Sequence, residues 1–165
     1  MTATKNNSIF KKLGALAMAM CLTCALAVSA GAASNSYSVT INKSGSSDIS
    51  KANDIVAGNA TVTTVANGIQ IDIPIKPIED YKAMPFLPAA DGYLQTVEVP
   101  EAVSAEVVKD GVMYEEATLS IVMAEMPTDG VIEVQSSAIQ LYTANTSDRY
   151  PIMSHITPAF DIVLE

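Results

Sequence analysis

The sequence is poor in the residues that carry most enzyme and metal chemistry. It contains no Trp, a single His (His155) and only two Cys, Cys21 and Cys24, both within the first thirty residues. Once that segment is removed, the chain has no thiol for a disulfide or for a Cys-ligated zinc site. It also has no nucleophile elbow, no glycine-rich phosphate loop and no paired-His metal motif. These absences predict a protein that is not an enzyme and has no metal site built from its own side chains.

The first 33 residues have the composition of a signal peptide. Lys5, Lys11 and Lys12 precede an apolar run over residues 13–28, and small residues follow it. The run is shorter than the roughly twenty residues that a membrane-spanning helix needs. We therefore expect cleavage after one of residues 30–33 and export. A retained membrane anchor or a lipid on one of the two cysteines is the less favoured interpretation.

The remaining chain, residues 34–165, is strongly acidic. It keeps six basic against eighteen acidic residues, a net charge of −12. This charge argues against nucleic acid or an anionic membrane as the partner. The length suits a single domain with its own core.

Apolar residues in the mature chain alternate with polar ones, the period-two pattern of half-buried strands. We predict about eight strands and one short helical turn over residues 48–56, capped by Ser47 or Asp48. The dipeptide Asn67-Gly68 predicts a tight hairpin. The predicted strands lie at residues 37–41, 59–65, 69–75, 93–99, 103–108, 112–114, 117–123, 131–142 and 159–164.

Many short strands and no long helical pattern predict an all-β fold, an antiparallel sandwich of immunoglobulin-like type. A closed small barrel is the alternative. Pro74 cannot donate to a strand ladder and predicts that its strand runs along an edge there. In the long strand, the apolar residues Ile132 and Val134 stand at even positions, whereas Ile139 stands at an odd position. This change predicts a bulge near Ser136-Ser137.

The last third of the chain gathers the candidate site residues. A long strand ends at Tyr142, and a predicted polar loop over residues 143–158 carries Tyr150, Met153 and His155. Tyr, Met and His side chains all ligate haem iron in proteins. If Ile139 and Leu141 face the core, Tyr142 points outward. The ordinary interpretation is a Tyr that covers the sheet, a Met that pins the loop and a surface His.

The order of these segments resembles the NEAT (near iron transporter) domain of Gram-positive surface proteins, over residues 37–164. The resemblance rests on an opening Tyr-x-Val-x-Ile strand, the turn Asp48-Ile-Ser-Lys-Ala-Asn-Asp-Ile-Val56, a Thr/Val strand, Asn67-Gly68 and an Ile-rich strand ending in Lys76-Pro77-Ile78. Gly92-Tyr93-Leu94 and a closing Phe-Asp-Ile-Val-Leu strand complete it. The resemblance implies an immunoglobulin-like sandwich that binds haem between the short helix and the last hairpin.

The family's site residues map onto this chain by the same resemblance. Ser50 would contact a haem propionate, Tyr142 would ligate the iron and Tyr150 would be its paired tyrosine. Tyr142 and Tyr150 are eight residues apart, whereas the family motif separates its tyrosines by four, and Ile55 stands where many haem-binding relatives carry Tyr. Residues 49, 55 and 153 could supply the apolar walls of the slot.

Two functions follow from these observations. The first is binding of haem, or of a similar flat apolar ligand, for haem and iron capture by a secreted or cell-surface protein of a Gram-positive bacterium. Its partners would be haem, haem-carrying proteins and other envelope proteins. The second is a protein-interaction or adhesion module with the same sandwich and no haem. The altered tyrosine spacing favours the second.

Overall fold

The computed structural model describes residues 34–81, 89–142 and 151–165, with only the backbone for residues 151–155. The predicted signal peptide and residues 82–88 and 143–150 lie outside these ranges. Within them the chain forms twelve strands and one 3₁₀ helix, Lys51–Ile55. The strands are β1 Ser34–Tyr37, β2 Val39–Lys43, β3 Ala60–Val65, β4 Gly68–Ile75, β5 Ile78–Tyr81, β6 Ala90–Glu98, β7 Ser104–Val108, β8 Ala117–Met123, β9 Val131–Val134, β10 Ser136–Tyr142, β11 Pro151–Ile156 and β12 Phe160–Leu164.

The first layer is a five-stranded antiparallel sheet in the order β1-β3-β4-β8-β7. Its centre is the β4–β8 pair, in which Ile71 lies opposite Ile121 and Ile73 lies opposite Leu119. These four side chains are at most 1% exposed. Since side chains alternate along a strand, the intervening polar residues form the outer face of this sheet.

The second layer consists of two smaller sheets, β2-β12-β9 and β11-β10-β6-β5. Only Gln135 separates β9 from β10, and its N–H donates to the Glu98 carbonyl of β6. The segment β9–β10 and the segment β11–β12 therefore each pass from one small sheet into the other. Together they form the last hairpin of the domain. The result is an immunoglobulin-like β-sandwich, and the predicted fold class is confirmed.

The core between the layers is aliphatic. Its largest fully buried side chain is Phe160, surrounded by Ile and Leu residues from both layers. Full burial of each such side chain is worth roughly 1.5–3 kcal/mol. Gly92 on β6 is part of this packing, because a Cβ there would lie 3.2 Å from Ile139 Cγ2 and 3.3 Å from Leu141 Cδ2. The side chains of Ile139 and Leu141 thus occupy the space that a side chain at position 92 would need.

Near Ser136-Ser137, where a bulge is predicted, the strand is broken at Gln135, and the buried positions change from Ile132 and Val134 to Ile139 and Leu141. The register irregularity with β6 follows between Ala138 and Ile139. The hairpin at Asn67-Gly68 is also present, joining β3 to β4. Gly68 has φ +132°, and a Cβ on it would lie 2.0 Å from the Met123 carbonyl oxygen. Only glycine fits this turn.

β4 is a central strand over most of its length, because β3 and β8 both pair with it, but at Pro74, where an edge is predicted, the β3 pairing has ended. Pro74 is tolerated because β3 begins only at Ala60, and the Pro74 carbonyl accepts from the N–H of Ala57 instead. The N–H and C=O of a strand residue point to the same side. The missing donor of Pro74 therefore faces that short connection and leaves the β8 ladder intact.

Three local predictions also differ from the structure. Residues 112–114, predicted as a strand, belong to the loop between β7 and β8. The predicted loop over residues 143–158 contains a strand, β11, and residues 37–41 are divided at Ser38 between β1 and β2. For β11 and for the division at Ser38, pairing with a distant strand decided the structure, and a local pattern does not record such pairing.

Candidate ligand site on the last hairpin

Tyr142 is the last residue of β10 and lies on the outer face of the second layer. Ile139 and Leu141 face the core and are each 2% exposed, so the alternation of the strand turns Tyr142 the other way. Its side chain is nevertheless only 9% exposed. The outward direction predicted for Tyr142 is therefore correct, but neighbouring groups cover the ring.

Three tyrosines pack in a row on this outer face. The ring of Tyr93 on β6 lies 5.7 Å from that of Tyr142, at an interplanar angle of 78°. On its other side, Tyr93 meets Tyr114 at 5.5 Å and 84°. Such edge-to-face pairs contribute about 0.5–1.5 kcal/mol each beyond the area they bury. The row connects the last hairpin to the loop between β7 and β8.

Hydrogen bonds fix the two ends of the row. The Tyr142 hydroxyl donates to Gln140 Oε1 at 3.2 Å, and the Tyr114 hydroxyl donates to the Leu94 carbonyl at 3.0 Å. Gln95 also holds the β7–β8 loop, because its Nε2 donates to the Val112 carbonyl at 2.9 Å. The Lys109 ammonium donates to Gln95 Oε1.

Burial changes the ionisation of two of these tyrosines. It raises the pKa of Tyr93, and the Asp91 carboxylate and the Tyr142 phenol raise it further. Burial also raises the pKa of Tyr114 to about 12; the hydrogen bond to Leu94 acts in the opposite direction, and Tyr93 adds to the rise. Both phenols therefore stay neutral at physiological pH.

Ser50 is the N-cap of the 3₁₀ helix. Its Oγ accepts a hydrogen bond from the Ala52 N–H at 3.2 Å, which satisfies one of the donors at the helix start. The predicted caps, Ser47 and Asp48, lie before the helix and do not perform this role. Asn53 Oδ1 accepts from the Ile41 N–H at 2.8 Å and ties the helix to β2.

The two predicted sides of the slot lie on different strands. The helix packs against β2 and β5, whereas Tyr142 contacts Tyr93 on β6. In the sheet order β11-β10-β6-β5, one strand, β6, lies between the strand of Tyr142 and the strand on which the helix packs. Of the two predicted apolar walls on the helical turn, Ile55 is 0% exposed and belongs to the core, and Ile49 is 65% exposed.

The other predicted site residues are placed only in part. Met153 and His155 lie in β11, where the backbone of Met153 pairs with Leu141 and that of Pro151 with Tyr142. Tyr150 lies outside the described residues. The pairing brings the two ends of the segment 143–150 together at the Tyr142 end of β10.

Among residues 34–81, 89–142 and 151–165, no group of three or more His, Cys, Asp or Glu side chains could hold a metal ion. No helix within the described part of the chain is both long and apolar enough to cross a lipid bilayer.

Sequence reasoning missed Gln140, Tyr93 and Tyr114 as neighbours of Tyr142. Gln140 could have been found from parity alone, since positions 140 and 142 share a face of one strand. The two tyrosines could not, because the register that places Tyr93 opposite Gln140 includes an irregularity between Ala138 and Ile139.

Comparison with solved structures identifies similar domains. The NEAT5 domain of IsdX2, a B. anthracis hemophore, solved in complex with heme, superimposes with a TM-score of 0.50. The alignment covers 82% of this chain and 97% of that domain, at 12% sequence identity. A mutant of the same domain, also in complex with heme, gives the same TM-score and identity and is covered to 96%. No protein-family model and no curated protein sequence matches the chain. At this identity the comparison shows a shared fold, and the resemblance to NEAT domains is structural.

Proposed function

We propose that this protein is an exported, non-enzymatic binding domain that holds haem, or a similar flat apolar ligand, at the last hairpin beside Tyr142. Its role would be haem capture at the bacterial surface. The observation that carries the proposal is the fold correspondence with a heme-complexed domain over nearly that domain's whole length. The signal-peptide composition of residues 1–33 supports export.

The side chains around Tyr142 fit the chemistry of a ferric porphyrin. A tyrosine oxygen is an established axial ligand of haem iron. Gln140, already within hydrogen-bond distance of that oxygen, carries both a donor and an acceptor. When bound, haem would supply the Lewis-acidic iron. Tyr142 would hold it, Tyr93 would pack against the Tyr142 ring, and Ser50 would offer its hydroxyl proton to a propionate.

Three further residues remain sequence-based members of the site. Met153 and His155 lie on β11, and Tyr150 lies outside the described residues. Because Tyr142 is 9% exposed, ligand entry requires the groups that cover its ring to move. We expect haem uptake to be slower than diffusion-limited encounter for that reason.

Hemin titration of the purified protein tests the proposal. We expect a shifted Soret band that saturates at one equivalent, and an affinity reduced at least about tenfold, or ~1.4 kcal/mol, by Tyr142→Phe. Tyr37→Phe is the matched control, since Tyr37 lies on β1 in the other layer, and should bind like the parent. An unshifted hemin spectrum in the parent protein would sink the proposal.

A second function is favoured by one observation, the closed core beside the helix. Ile55 of the helix, Ile78 of β5 and Leu141 of β10 are each at most 2% exposed, so these three side chains belong to a closed core and do not line an open slot. A domain with this core could serve as a protein-interaction or adhesion module without haem. Recovery of one specific envelope protein, together with an unchanged hemin spectrum, would favour this function.

A further inference from the structure

Gln140 and Tyr142 form a fixed pair on β10. They are two residues apart and share the outer face, and Leu141 between them is anchored in the core at 2% exposure. The Tyr142 hydroxyl donates to Gln140 Oε1 at 3.2 Å. Since the backbone of both residues is held in the β6–β10 ladder, the position of the phenol oxygen depends on the side chain of Gln140.

Tyr93 restricts the same ring from the neighbouring strand. It lies directly opposite Gln140 in the register, and its ring meets that of Tyr142 edge to face at 5.7 Å. The ring of Tyr142 is thus packed on one side and hydrogen-bonded at its tip. This is the supporting arrangement that a ligating group needs in order to keep its geometry.

We propose that Gln140 is the positioning residue of Tyr142: it accepts from the phenol in the ligand-free protein and donates its amide N–H to the same oxygen when that oxygen coordinates iron. This inference rests on the proposed function. A glutamine amide presents an acceptor and two donors on one terminus, so a rotation about its last bond exchanges them. On haem binding, the phenol would give its proton to water and its oxygen would replace a solvent ligand of the iron, with no electron transferred.

The position of Gln140 differs from the family pattern described above. There the second tyrosine of the motif stands four residues after the ligand, whereas Gln140 stands two residues before Tyr142. Spacing of two on a strand places both side chains on one face, as spacing of four also does. The altered tyrosine spacing of this chain therefore still leaves Tyr142 with a hydrogen-bonding neighbour on its own strand.

The ligand-free protein provides the first test. Ultraviolet resonance Raman spectra of the parent minus Tyr142→Phe isolate the Tyr142 phenol, and we expect the signature of a hydrogen-bond donor. Gln140→Leu should abolish that signature, and Gln140→Glu, which keeps an acceptor, should retain it. A signature that survives Gln140→Leu overturns the inference whether or not haem binds.

Hemin titration of the same variants provides the second test. Gln140→Leu should weaken binding about tenfold, the size expected for a hydrogen bond to a charged oxygen, and shift the iron–phenolate Raman bands. Gln140→Glu should bind more weakly than Gln140→Leu, because a carboxylate repels the iron-bound phenolate. This loss, in a variant that keeps the ligand-free hydrogen bond, is not expected from a merely structural role.

Gln70→Leu is the matched control. Gln70 is also a strand glutamine bonded to the residue two positions away, with Nε2 donating to Asp72 Oδ1 at 3.0 Å, but it lies on β4 of the other layer. It should bind hemin like the parent. If the parent binds hemin and Gln140→Leu matches it, the inference fails and the proposed function stands. If the parent does not bind hemin, both fail.

Discussion

The outer faces of the two layers carry different side chains on the same kind of pleated scaffold. On the first sheet, Gln70 and Asp72 bond to each other along β4, and Thr63 Oγ1 donates to the Gln70 carbonyl at 3.5 Å. On the second, Tyr93 and Tyr142 pack edge to face beside Gln140. Each face has a glutamine bonded two residues along its strand. The first glutamine serves a solvated surface, and the second serves a covered aromatic row.

This difference separates a polar, solvent-facing sheet surface from a surface that carries covered aromatic side chains. On the first sheet, polar side chains form hydrogen bonds along the surface and need no covering segment. Tyrosines that are buried on the outside of a sheet need a separate cover, here provided by the β7–β8 loop through Tyr114 and Val112. The second layer therefore has a small additional core on its outer side.

The largest expected effect comes from removing the end of the aromatic row. Tyr114→Ala should lower the free energy of unfolding by about 3–5 kcal/mol, because it deletes a buried ring and the donor to the Leu94 carbonyl. Urea unfolding measures this. Thr118→Ala on the outer face of the first sheet is the comparison and should change stability by less than about 0.5 kcal/mol. Equal losses in both variants would contradict the difference between the two faces.

A smaller effect should follow from alkaline pH. The pKa of Tyr114 is raised from 10.0 to about 12, so the folded state keeps its proton after the unfolded chain has released it. The stabilisation is complete below pH 10.0 and is lost as the pH rises towards about 12. Unfolding free energies measured across this window should fall, and Tyr114→Phe should make the fall shallower. An identical slope in the variant would remove Tyr114 as the cause.

The contact between Tyr93 and Tyr142 should contribute a coupling free energy of about 0.5–1.5 kcal/mol. A double-mutant cycle with Tyr93→Leu and Tyr142→Leu, followed by urea unfolding, measures it. If the losses of unfolding free energy in the two single variants add up to the loss in the double variant, the two rings do not stabilise each other.

The smallest effect is expected on the solvated face. Gln70→Leu should alter the free energy of unfolding by no more than about 0.5 kcal/mol, because its amide hydrogen-bonds at a half-exposed surface. Gln140→Leu should cost more, since the Tyr142 hydroxyl loses its acceptor in a covered position. A reversed order would show that the aromatic row does not depend on its hydrogen bond.

Much of the fold is encoded locally and could be predicted. Alternation located β3, β4, β7 and β8 nearly to the residue, and Asn67-Gly68 marked their first hairpin. The change of parity at Gln135 was also visible in the sequence, because it moves the buried positions of one long strand by one place.

The site was harder to predict because it depends on which strands meet. Nothing within residues 131–142 indicates that Tyr93 will lie opposite Gln140, or that Tyr114 will bond to β6. The strand β11 was not predicted because Pro151 and the adjacent polar residues Ser154 and His155 interrupt the alternation of polar and apolar residues. Its pairing with β10 supplies the order that its own sequence does not.

The pairing of β2 with β12 also bears on when the protein can fold. Val39 pairs with Leu164 and Phe160 with Lys43, so within the described residues a strand near the start of the domain pairs with a strand near its far end. Non-local pairing of this kind gives folding times of roughly milliseconds to seconds. Until β12 joins it, the sheet β2-β12-β9 lacks its central strand and Phe160 has no core to enter. Completion of the second layer therefore requires the two ends of the domain to meet.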